Sequence, residues 1–332
     1  MRTRTLLLIA LAAAVAAAEG PTGDAQIDAV LGATPNGVLT EDTLAQILPQ
    51  GASARAVLLS PGTGASPLRY AFTAGTSAPR RMRTAMTQTI SMGGAGAGGA
   101  GQQVMAMPVI LLDYASGLSR DDAGGWIQRV TVAAGDVQAH PDKAADPMHQ
   151  AMLGGMRGPL AQVAGLSHVQ GIDARGITAN PRTEMPESLP EAMAQQIGAT
   201  GTLGQVVVLP EAAIGVGGRW LSIQRMEQGG IPMLMCQVHT ITARTATSVD
   251  LAVAGHVYAA KPDIEMQGMR MVIERMAMGA TGTMQLDLAS AGVTASTIAL
   301  KGSIAMKVDA GGTMMGMAVA MDGTTSIGPA AP

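Results

Sequence analysis

Methionine sulfur is the chemically distinctive group that this sequence repeats. The chain has 25 methionines, and the pattern M-x-M occurs at positions 105/107, 233/235, 269/271, 276/278 and 315/317. On a strand, residues i and i+2 project from one face, so each pair would present two thioethers side by side. Thioethers are soft ligands that suit Cu(I). Methionine also fills apolar cores, where strand residues alternate in the same way, so both interpretations stay open.

Other groups with reactive or ligating side chains are few. The chain has one cysteine, Cys236, which lies in an apolar run and is expected to be buried. His239 and His256 fall on runs that are predicted to be neighbouring strands, so they could approach each other. The G-x-G-x-x-G at 96–101 is followed by a strand pattern instead of a helix, which indicates a hairpin loop.

The established catalytic motifs do not occur in the sequence. There is no nucleophile elbow, no H-E-x-x-H and no phosphate-binding G-x-x-x-x-G-K-[ST]. The sequence therefore predicts no catalytic residue, no cofactor and no metal ligand set, and we expect a protein that is not an enzyme.

Charge and aromatic content argue against nucleic-acid binding. The net charge is -3, and only 2% of the residues are aromatic. Proteins that bind single strands combine a basic groove with stacking rings, and the sequence offers neither. The hydrophobic fraction of 47% is sufficient for a large core.

The first 18 residues have the pattern of a secretory signal peptide. Arg2 and Arg4 precede the apolar run 6–15, and three alanines at 16–18 provide a cleavage site. No cysteine follows that would allow lipid attachment, and no other apolar run is long enough to span a membrane. We expect a periplasmic or secreted protein with no transmembrane segment in the mature chain.

Three apolar, β-prone runs at 220–226, 231–243 and 249–258 predict an antiparallel meander. The breaks between them are short and rich in Gly or polar residues, which is typical of hairpins. A glycine-rich corner, I-G-V-G-G-R-W, leads into the first strand and presents Trp220.

The remaining pattern divides the chain into a helical N-terminal part and a β-rich domain. We expect a helical or mobile segment at 19–66, with helices at 24–31 and 40–48, and a disordered tail at 322–332. The β-rich domain spans 67–321, as one unit or as two halves, 67–208 and 209–321. Helices at 148–163 and 188–197 interrupt its strands.

These elements predict an α+β fold that is predominantly antiparallel β. The sheet would form a large curved surface or half-barrel, with a few helices packed on one face.

The layout resembles an uncharacterised family of exported bacterial β-rich proteins. The shared landmarks are a signal peptide, L-R-Y at 68–70, G-I-D-A-R-G-I at 171–177, I-G-V-G-G-R-W at 214–220 and G-T-M-Q-L-D-L at 282–288. The resemblance spans about residues 68–308. That family has no established activity, so it implies no functional residue. More loosely, the layout is similar to the half-barrel of periplasmic lipoprotein carriers, which is a fold analogy only.

A concave sheet lined with methionine would form a deformable apolar trough. The residues predicted to line it are Met233, Met235, Met269, Met271 and Trp220. The leading hypothesis is an exported, non-enzymatic carrier for an apolar or lipid-like ligand of the bacterial envelope. One alternative is a structural or protein-interaction module with an envelope protein partner and no small ligand. Another is Cu(I) binding through the M-x-M pairs.

Overall fold

The computed structural model describes residues 22–93, 102–186, 206–228, 231–266, 269–309 and 314–330. The predicted signal peptide and the helix predicted at 188–197 lie outside these residues. The Gly-rich loop predicted at 93–101 is described only at its first residue.

Three α-helices and seventeen strands make up the described chain. The helices are α1 (Ala25–Gly32), α2 (Glu41–Ile47) and α3 (Pro147–Ala161), with a 3₁₀ turn at Pro141–Lys143. The strands of the first half are β1 (Ala54–Ser60), β2 (Thr63–Ser66), β3 (Gly75–Thr76), β4 (Arg80–Gly93), β5 (Gln102–Ala106), β6 (Val109–Arg120), β7 (Trp126–Gln138), β8 (Ser167–Ile172) and β9 (Thr178–Glu184). Those of the second half are β10 (Ile214–Val216), β11 (Arg219–Gln228), β12 (Ile231–Arg244), β13 (Ser248–Ala259), β14 (Asp263–Met266), β15 (Met269–Asp287), β16 (Gly292–Asp309) and β17 (Met314–Pro329).

Fifteen of the strands form one antiparallel sheet. Its order is β1-β11-β12-β13-β15-β16-β17-β4-β6-β7-β8-β9. Three short strands lie off this path: β14 pairs with β15, β3 with β6, and β5 with β4. The sheet is nearly closed and barrel-like, and this confirms the predicted fold class. The two edge strands meet where Ser53 Oγ donates a hydrogen bond to the Thr178 carbonyl, 3.2 Å away. The two halves 67–208 and 209–321 thus contribute strands to one continuous sheet.

The predicted meander is present as β11, β12 and β13, and its register separates two faces. Trp220 and His239 are direct cross-strand partners on the face that we call inner. Leu221 and Ile223 alternate with Trp220 and face outward. Because side chains alternate on strands, the register extends the same two faces to every strand of the sheet.

The helices pack on both faces of the sheet. The Asp24 carboxylate caps α1 and the Thr40 hydroxyl caps α2, and the two helices bury Ile27 and Ile47 against the outer face of β11–β13. By contrast, α3 packs on the inner face of β7. A Cβ on Gly135 would lie 2.4 Å from the carbonyl oxygen of Leu160, so glycine permits this close approach.

Met148, Met152 and Met156 recur at every fourth residue of α3, but they do not form its buried face. His149 and Leu153 are buried, whereas Met148 is 56% exposed. Polar contacts of the first helical turn explain why α3 turns this face toward the sheet. His149 Nδ1 donates to the Ala106 carbonyl, and its Nε2 accepts from the backbone N–H of His140, so the imidazole orients the helix.

Inner-facing glycines let three adjacent strands bend. A Cβ on Gly282, Gly302 or Gly323 would lie 2.0, 2.4 or 2.6 Å from a backbone oxygen of the neighbouring strand. Strands that coil this tightly need glycine at the point of approach. The row of glycines across β15, β16 and β17 therefore supports the curvature of the barrel wall.

Two predicted boundaries are wrong. The tail predicted at 322–332 is strand as far as Pro329, because β17 pairs with β4 from Gly316↔Gly93 to Pro329↔Arg80. Its outward-facing Thr, Ser and Gly residues made a solvated strand resemble a polar tail. The helical segment predicted at 19–66 includes β1, the edge strand beside β11. No helix within the described residues has the length and hydrophobicity that crossing a membrane requires.

Candidate functional site

One end of the barrel is filled by a tightly packed apolar cluster that we call the plug. Its buried members include Leu68, Tyr70, Trp220, Ile241 and Leu286. Phe72 and Trp126 pack against the plug. Phe72 stacks on Tyr70 with ring centroids 5.6 Å apart and meets Trp126 edge-on at 5.4 Å. Both tryptophans of the chain therefore belong to this end.

Residues 206–209 form an extended strap that is tied into the plug through its carbonyl groups. Three side chains donate to successive carbonyls, as follows: Gln224 Nε2 to Val206 (2.9 Å), Tyr70 Oη to Val207 (3.0 Å) and Trp220 Nε1 to Val208 (2.8 Å). The backbone N–H of Leu209 donates to the Arg175 carbonyl in the β8–β9 turn. The strap thus connects β11 with the strands at the other edge of the sheet.

A buried polar pair lies against Trp220 in the plug. His239 stacks on the indole with ring centroids 4.8 Å apart, and its Nε2 is 2.8 Å from Ser222 Oγ. Its Nδ1 has no hydrogen-bond partner among the described residues. Burial lowers the pKa of His239 to about 3, so the ring is neutral at physiological pH.

A second buried polar group joins β6, β7 and β8. Gln170 Nε2 donates to Gln128 Oε1 at 2.9 Å, and Gln128 Nε2 donates to Ser116 Oγ at 3.4 Å. His168 Nε2 lies 3.3 Å from Gln170 Oε1. These amides satisfy one another, as buried polar groups must, and we assign them a structural role.

Toward the other end of the barrel, the inner face carries a cluster of methionines. Four of them are buried, Met233, Met271, Met276 and Met306, and four more pack against these, Met226, Met278, Met317 and Met321. Met306 and Met317 are direct cross-strand partners, as are Met226 and Met233. We call this end the methionine end.

Between the plug and the methionine end runs a wall without charge. It consists of the inner-facing, alternate positions 278–286 of β15, 296–308 of β16, 315–327 of β17 and 82–90 of β4. No Asp, Glu, Lys, Arg or His occupies any of these positions. The outward-facing positions between them carry charged and small polar residues such as Lys301, Asp322 and Thr87.

The wall is only partly buried, although it faces the inside of a nearly closed sheet. Val319 lies between Ile304 and Ile90, and it is half-buried, as are Leu300 and Met321. Along the wall positions of β17, exposure is highest at the methionine end, where the inner-facing Met315 is 40% exposed, whereas Ile304 and Met306 of β16 are buried. Solvent therefore reaches an apolar surface from that end.

The predicted ligand-lining residues separate into two groups. Trp220 is fully buried in the plug and lines no accessible surface. Met233 and Met271 are buried together at the methionine end, and Met235 is a buried neighbour of Met233 on the same face. Met269 begins β15, where its backbone pairs with that of Met266.

The predicted approach of His239 to His256 is wrong. His256 is the cross-strand partner of Cys236 and faces outward, whereas His239 faces inward, so the sheet separates the two rings. Within the described residues, no three His, Cys, Asp or Glu side chains are grouped so as to hold a metal ion. Cys236 is buried under α1 and α2, as the sequence predicts.

Two shallow depressions are present, one on the outside of the sheet and one at the strand ends beside the plug. The larger, of about 440 Å³, is bordered by Thr89, Lys301 and Asp322, and the smaller, of about 410 Å³, by Arg80, Thr294 and Pro329. Both are open and mixed in polarity, and neither brings together a set of groups with an evident chemical task.

A scan of the chain against protein-family models finds no match, and a search of curated proteins finds no relative. The resemblance to an exported bacterial family stays a prediction, and so does the assignment of the five ligand-lining residues. The accessible wall on β16, β17 and β4 was missed at the level of sequence. The alternation of apolar and small polar residues in 296–308 and 315–327 is the signal that could have indicated it.

Proposed function

We propose that the protein binds an apolar, lipid-like ligand on the inner wall of its sheet and acts as an exported carrier rather than an enzyme. The observation that carries this proposal is the wall itself, which is free of charge and partly open to solvent inside a nearly closed barrel. Buried apolar surface contributes about 25 cal/mol per Å² to binding, so covering this wall with an alkyl chain is favourable.

The side chains of the wall suit a ligand of variable shape. Met278, Met317 and Met321 are flexible thioethers that can repack around different chains. Gly302 and Gly323 add no side chain to the middle of the wall, because a Cβ on either would lie 2.4 or 2.6 Å from a backbone oxygen of the neighbouring strand. A deformable wall of this kind favours chains over rigid rings.

The export part of the proposal rests on the signal-peptide pattern at 1–18 and on the position of the apolar surface. The outward-facing residues between the wall positions of β15, β16, β17 and β4 are small, polar or charged, which suits an aqueous compartment. A periplasmic or extracellular carrier needs this combination of a polar exterior and an apolar interior.

A protein-interaction module is the second candidate, and one observation favours it. Val104 of β5 is 61% exposed and Met314 of β17 is 41% exposed, and both lie on strands that reach the methionine end. An envelope protein could cover them. Such a module would not need an accessible inner wall, so ligand binding separates the two candidates.

The wall can be tested by adding bulk on either side of one strand. Val319→Trp would fill the inner space, while the adjacent Ala320→Trp would point outward and serve as the matched control. The probe is N-phenylnaphthylamine, which is uncharged and fluorescent. Its affinity should fall by about tenfold or more in Val319→Trp, a loss of ~1.4 kcal/mol of binding free energy. The affinity of Ala320→Trp should equal that of the wild type.

Absence of saturable probe binding to the wild-type protein would end the carrier proposal. Equal affinities of the two variants would show that the probe binds elsewhere. Addition of Cu(I) in place of the probe tests the methionine pairs in the same experiment, since thioethers bind Cu(I) without a hydrophobic ligand.

A further inference from the structure

We propose that β5 (Gln102–Ala106) is a self-pairing edge, through which two copies of the chain associate in an antiparallel ladder centred on Val104. This surface lies outside the wall, so the inference goes beyond ligand binding and does not depend on it. Three observations carry it: the direction of the free backbone groups of β5, the exposed apolar side chains beside them, and the absence of charge along the edge.

β5 lies at an edge of the sheet because the neighbouring strand ends before it. β17 occupies one side of β4 along its whole length, and on the other side β6 pairs with 80–84 and β5 with 87–91. β7 accompanies β6 only as far as the pair of Val109 with Gln138. Among the strands that the structure describes, β5 therefore pairs with β4 alone.

The hydrogen bonds of the β4–β5 hairpin show which backbone groups face the free edge. The Met107 N–H donates to the Met86 carbonyl at 2.8 Å, so these two residues form a hydrogen-bonded pair. In an antiparallel ladder such pairs alternate with pairs whose N–H and C=O groups point away from each other. The β5 residues of the second kind are Gln102, Val104 and Ala106.

The direction of these groups agrees with the contact that β5 makes with α3. The Ala106 carbonyl points away from β4 and accepts a hydrogen bond from His149 Nδ1 at 3.0 Å. No hydrogen bond within the described chain reaches the outward N–H and C=O groups of Gln102 and Val104. These groups form a short open edge of the kind to which an extended strand adds.

The two most exposed large apolar side chains of the described residues lie beside this edge. Val104 is 61% exposed and Met148 is 56% exposed, and no other large apolar side chain of these residues exceeds 43%. Met148 lies in the first turn of α3, next to the His149 that contacts β5. A strand added to β5 would cover apolar surface in addition to pairing the free backbone groups.

The composition of the edge favours a second copy of the chain as the partner. The segment Q-Q-V-M-A has no charged residue, so two copies of it meet without like-charge repulsion. The edges at the two ends of the main sheet differ in this respect. β1 carries Arg55, and β9 carries Pro181, Arg182 and Glu184, which are residues that discourage pairing with another strand.

The register of such a pair is self-complementary. In a two-fold antiparallel ladder centred on Val104, this residue faces its own copy, and Gln102 faces Ala106 of the partner subunit. All three positions direct their backbone groups to the edge, so they meet as hydrogen-bonded pairs. The edge is only 5 residues long, so we expect a weak, reversible dimer.

Exchange of charge at the centre of the ladder tests the two-fold pairing. Val104→Lys and Val104→Glu each set two like charges opposite each other, because position 104 faces its own copy. Sedimentation velocity should give a concentration-dependent dimer for the wild type and a dissociation constant about tenfold or more higher for either variant. An equimolar mixture of the two variants should restore the wild-type dissociation constant, since opposite charges then meet. Val216→Lys, at a 43% exposed valine of β10, is the matched control and should dimerise like the wild type.

A further variant separates the free edge from the hairpin. Val104→Pro removes the N–H that faces the edge and leaves in place the β5 N–H groups that bond β4. This variant should be monomeric and keep the unfolding temperature of the wild type. Met105→Pro removes an N–H of the β4–β5 ladder and should lower the unfolding temperature instead.

Three results would overturn the inference. A wild type that stays monomeric at millimolar concentration would show that the edge does not self-pair. Equal dissociation constants of the wild type, Val104→Lys and Val104→Glu would place the interface elsewhere. Loss of the dimer in both variants without rescue by their mixture would exclude the two-fold register. None of these results bears on probe binding to the wall, so the proposed function is tested separately.

Discussion

Trp220 and His239 lie face to face in the plug, with ring centroids 4.8 Å apart and both side chains fully buried. The contact brings an imidazole into the apolar interior with a single polar partner, Ser222 Oγ at 2.8 Å. Among the described residues no carboxylate forms a hydrogen bond with the ring, so its neutral form is the stable one. The stability of the plug is therefore linked to pH through one histidine.

The first prediction concerns acid sensitivity. Burial lowers the pKa of His239 to about 3, so the unfolded state takes up a proton first as the pH falls below the unperturbed pKa of roughly 6.5. This histidine then lowers the free energy of unfolding by up to ~1.4 kcal/mol per pH unit until the folded pKa is reached. Urea unfolding from neutral pH to about pH 4 measures the slope.

His239→Phe keeps an aromatic ring against Trp220 and removes the titrating group. We expect a shallower decrease in stability with falling pH in this variant than in the wild type. An unchanged slope in His239→Phe would contradict the assignment.

The second prediction concerns the curvature of the wall. A Cβ on Gly302 would lie 2.4 Å from the Ala277 carbonyl oxygen, so Gly302→Ala should destabilise the fold by about 1–3 kcal/mol. A Cβ on Gly279, on the neighbouring strand, would meet no atom closer than 3.7 Å. Gly279→Ala should therefore remain within about 0.5 kcal/mol of the wild type in chemical denaturation. Equal losses of stability in the two variants would show that the fold does not require the close approach at Gly302.

The third prediction concerns the thiol. Burial under α1 and α2, together with the charge of Asp28, raises the pKa of Cys236 to about 12. The thiolate is the reactive form, so the native protein should not react with a disulfide reagent at mildly alkaline pH. The same protein should react completely in urea. Rapid labelling without denaturant would mean that the two helices do not cover the sheet stably.

The fourth prediction concerns the strap. Trp220→Phe removes the donor to the Val208 carbonyl and leaves that buried acceptor without its partner. The lost hydrogen bond should lower the free energy of unfolding by about 1–3 kcal/mol, and the lost packing should lower it further. Trp126→Phe keeps an aromatic ring against Phe72 and removes no hydrogen bond of the strap, so it is the matched control. Thermal unfolding compares the two. A smaller loss in Trp220→Phe than in Trp126→Phe would contradict the role of the hydrogen bond.

Local patterns predicted much of the fold. The three runs from 220 to 258 alternate with short breaks, and they form β11–β13 because alternation and turn chemistry act over a few residues. The helix predicted at 40–48 is α2, whose N-cap Thr40 and buried positions Leu44 and Ile47 are likewise local features. The spacing of Met269, Val272 and Met276 also fits a helix, and it is the pairing with β14 and β16 that makes this segment strand.

Long-range pairing explains what the sequence did not predict. β4 lies beside β17, more than two hundred residues away, and no local signal indicates that pairing. The opposite faces of His239 and His256 depend on the register between β12 and β13, which a shift by one residue would reverse. The strap at 206–209 has no regular hydrogen-bond pattern of its own, and its partners come from β11, Tyr70 and the β8–β9 turn.

Native mass spectrometry of the protein purified without detergent from the cells that produce it tests the central claim most directly. We expect an adduct with the mass of a lipid or fatty acid on the wild type and on Ala320→Trp, and its loss from Val319→Trp. A wild-type protein that carries no adduct, and acquires none from a lipid extract, would contradict a ligand-binding wall.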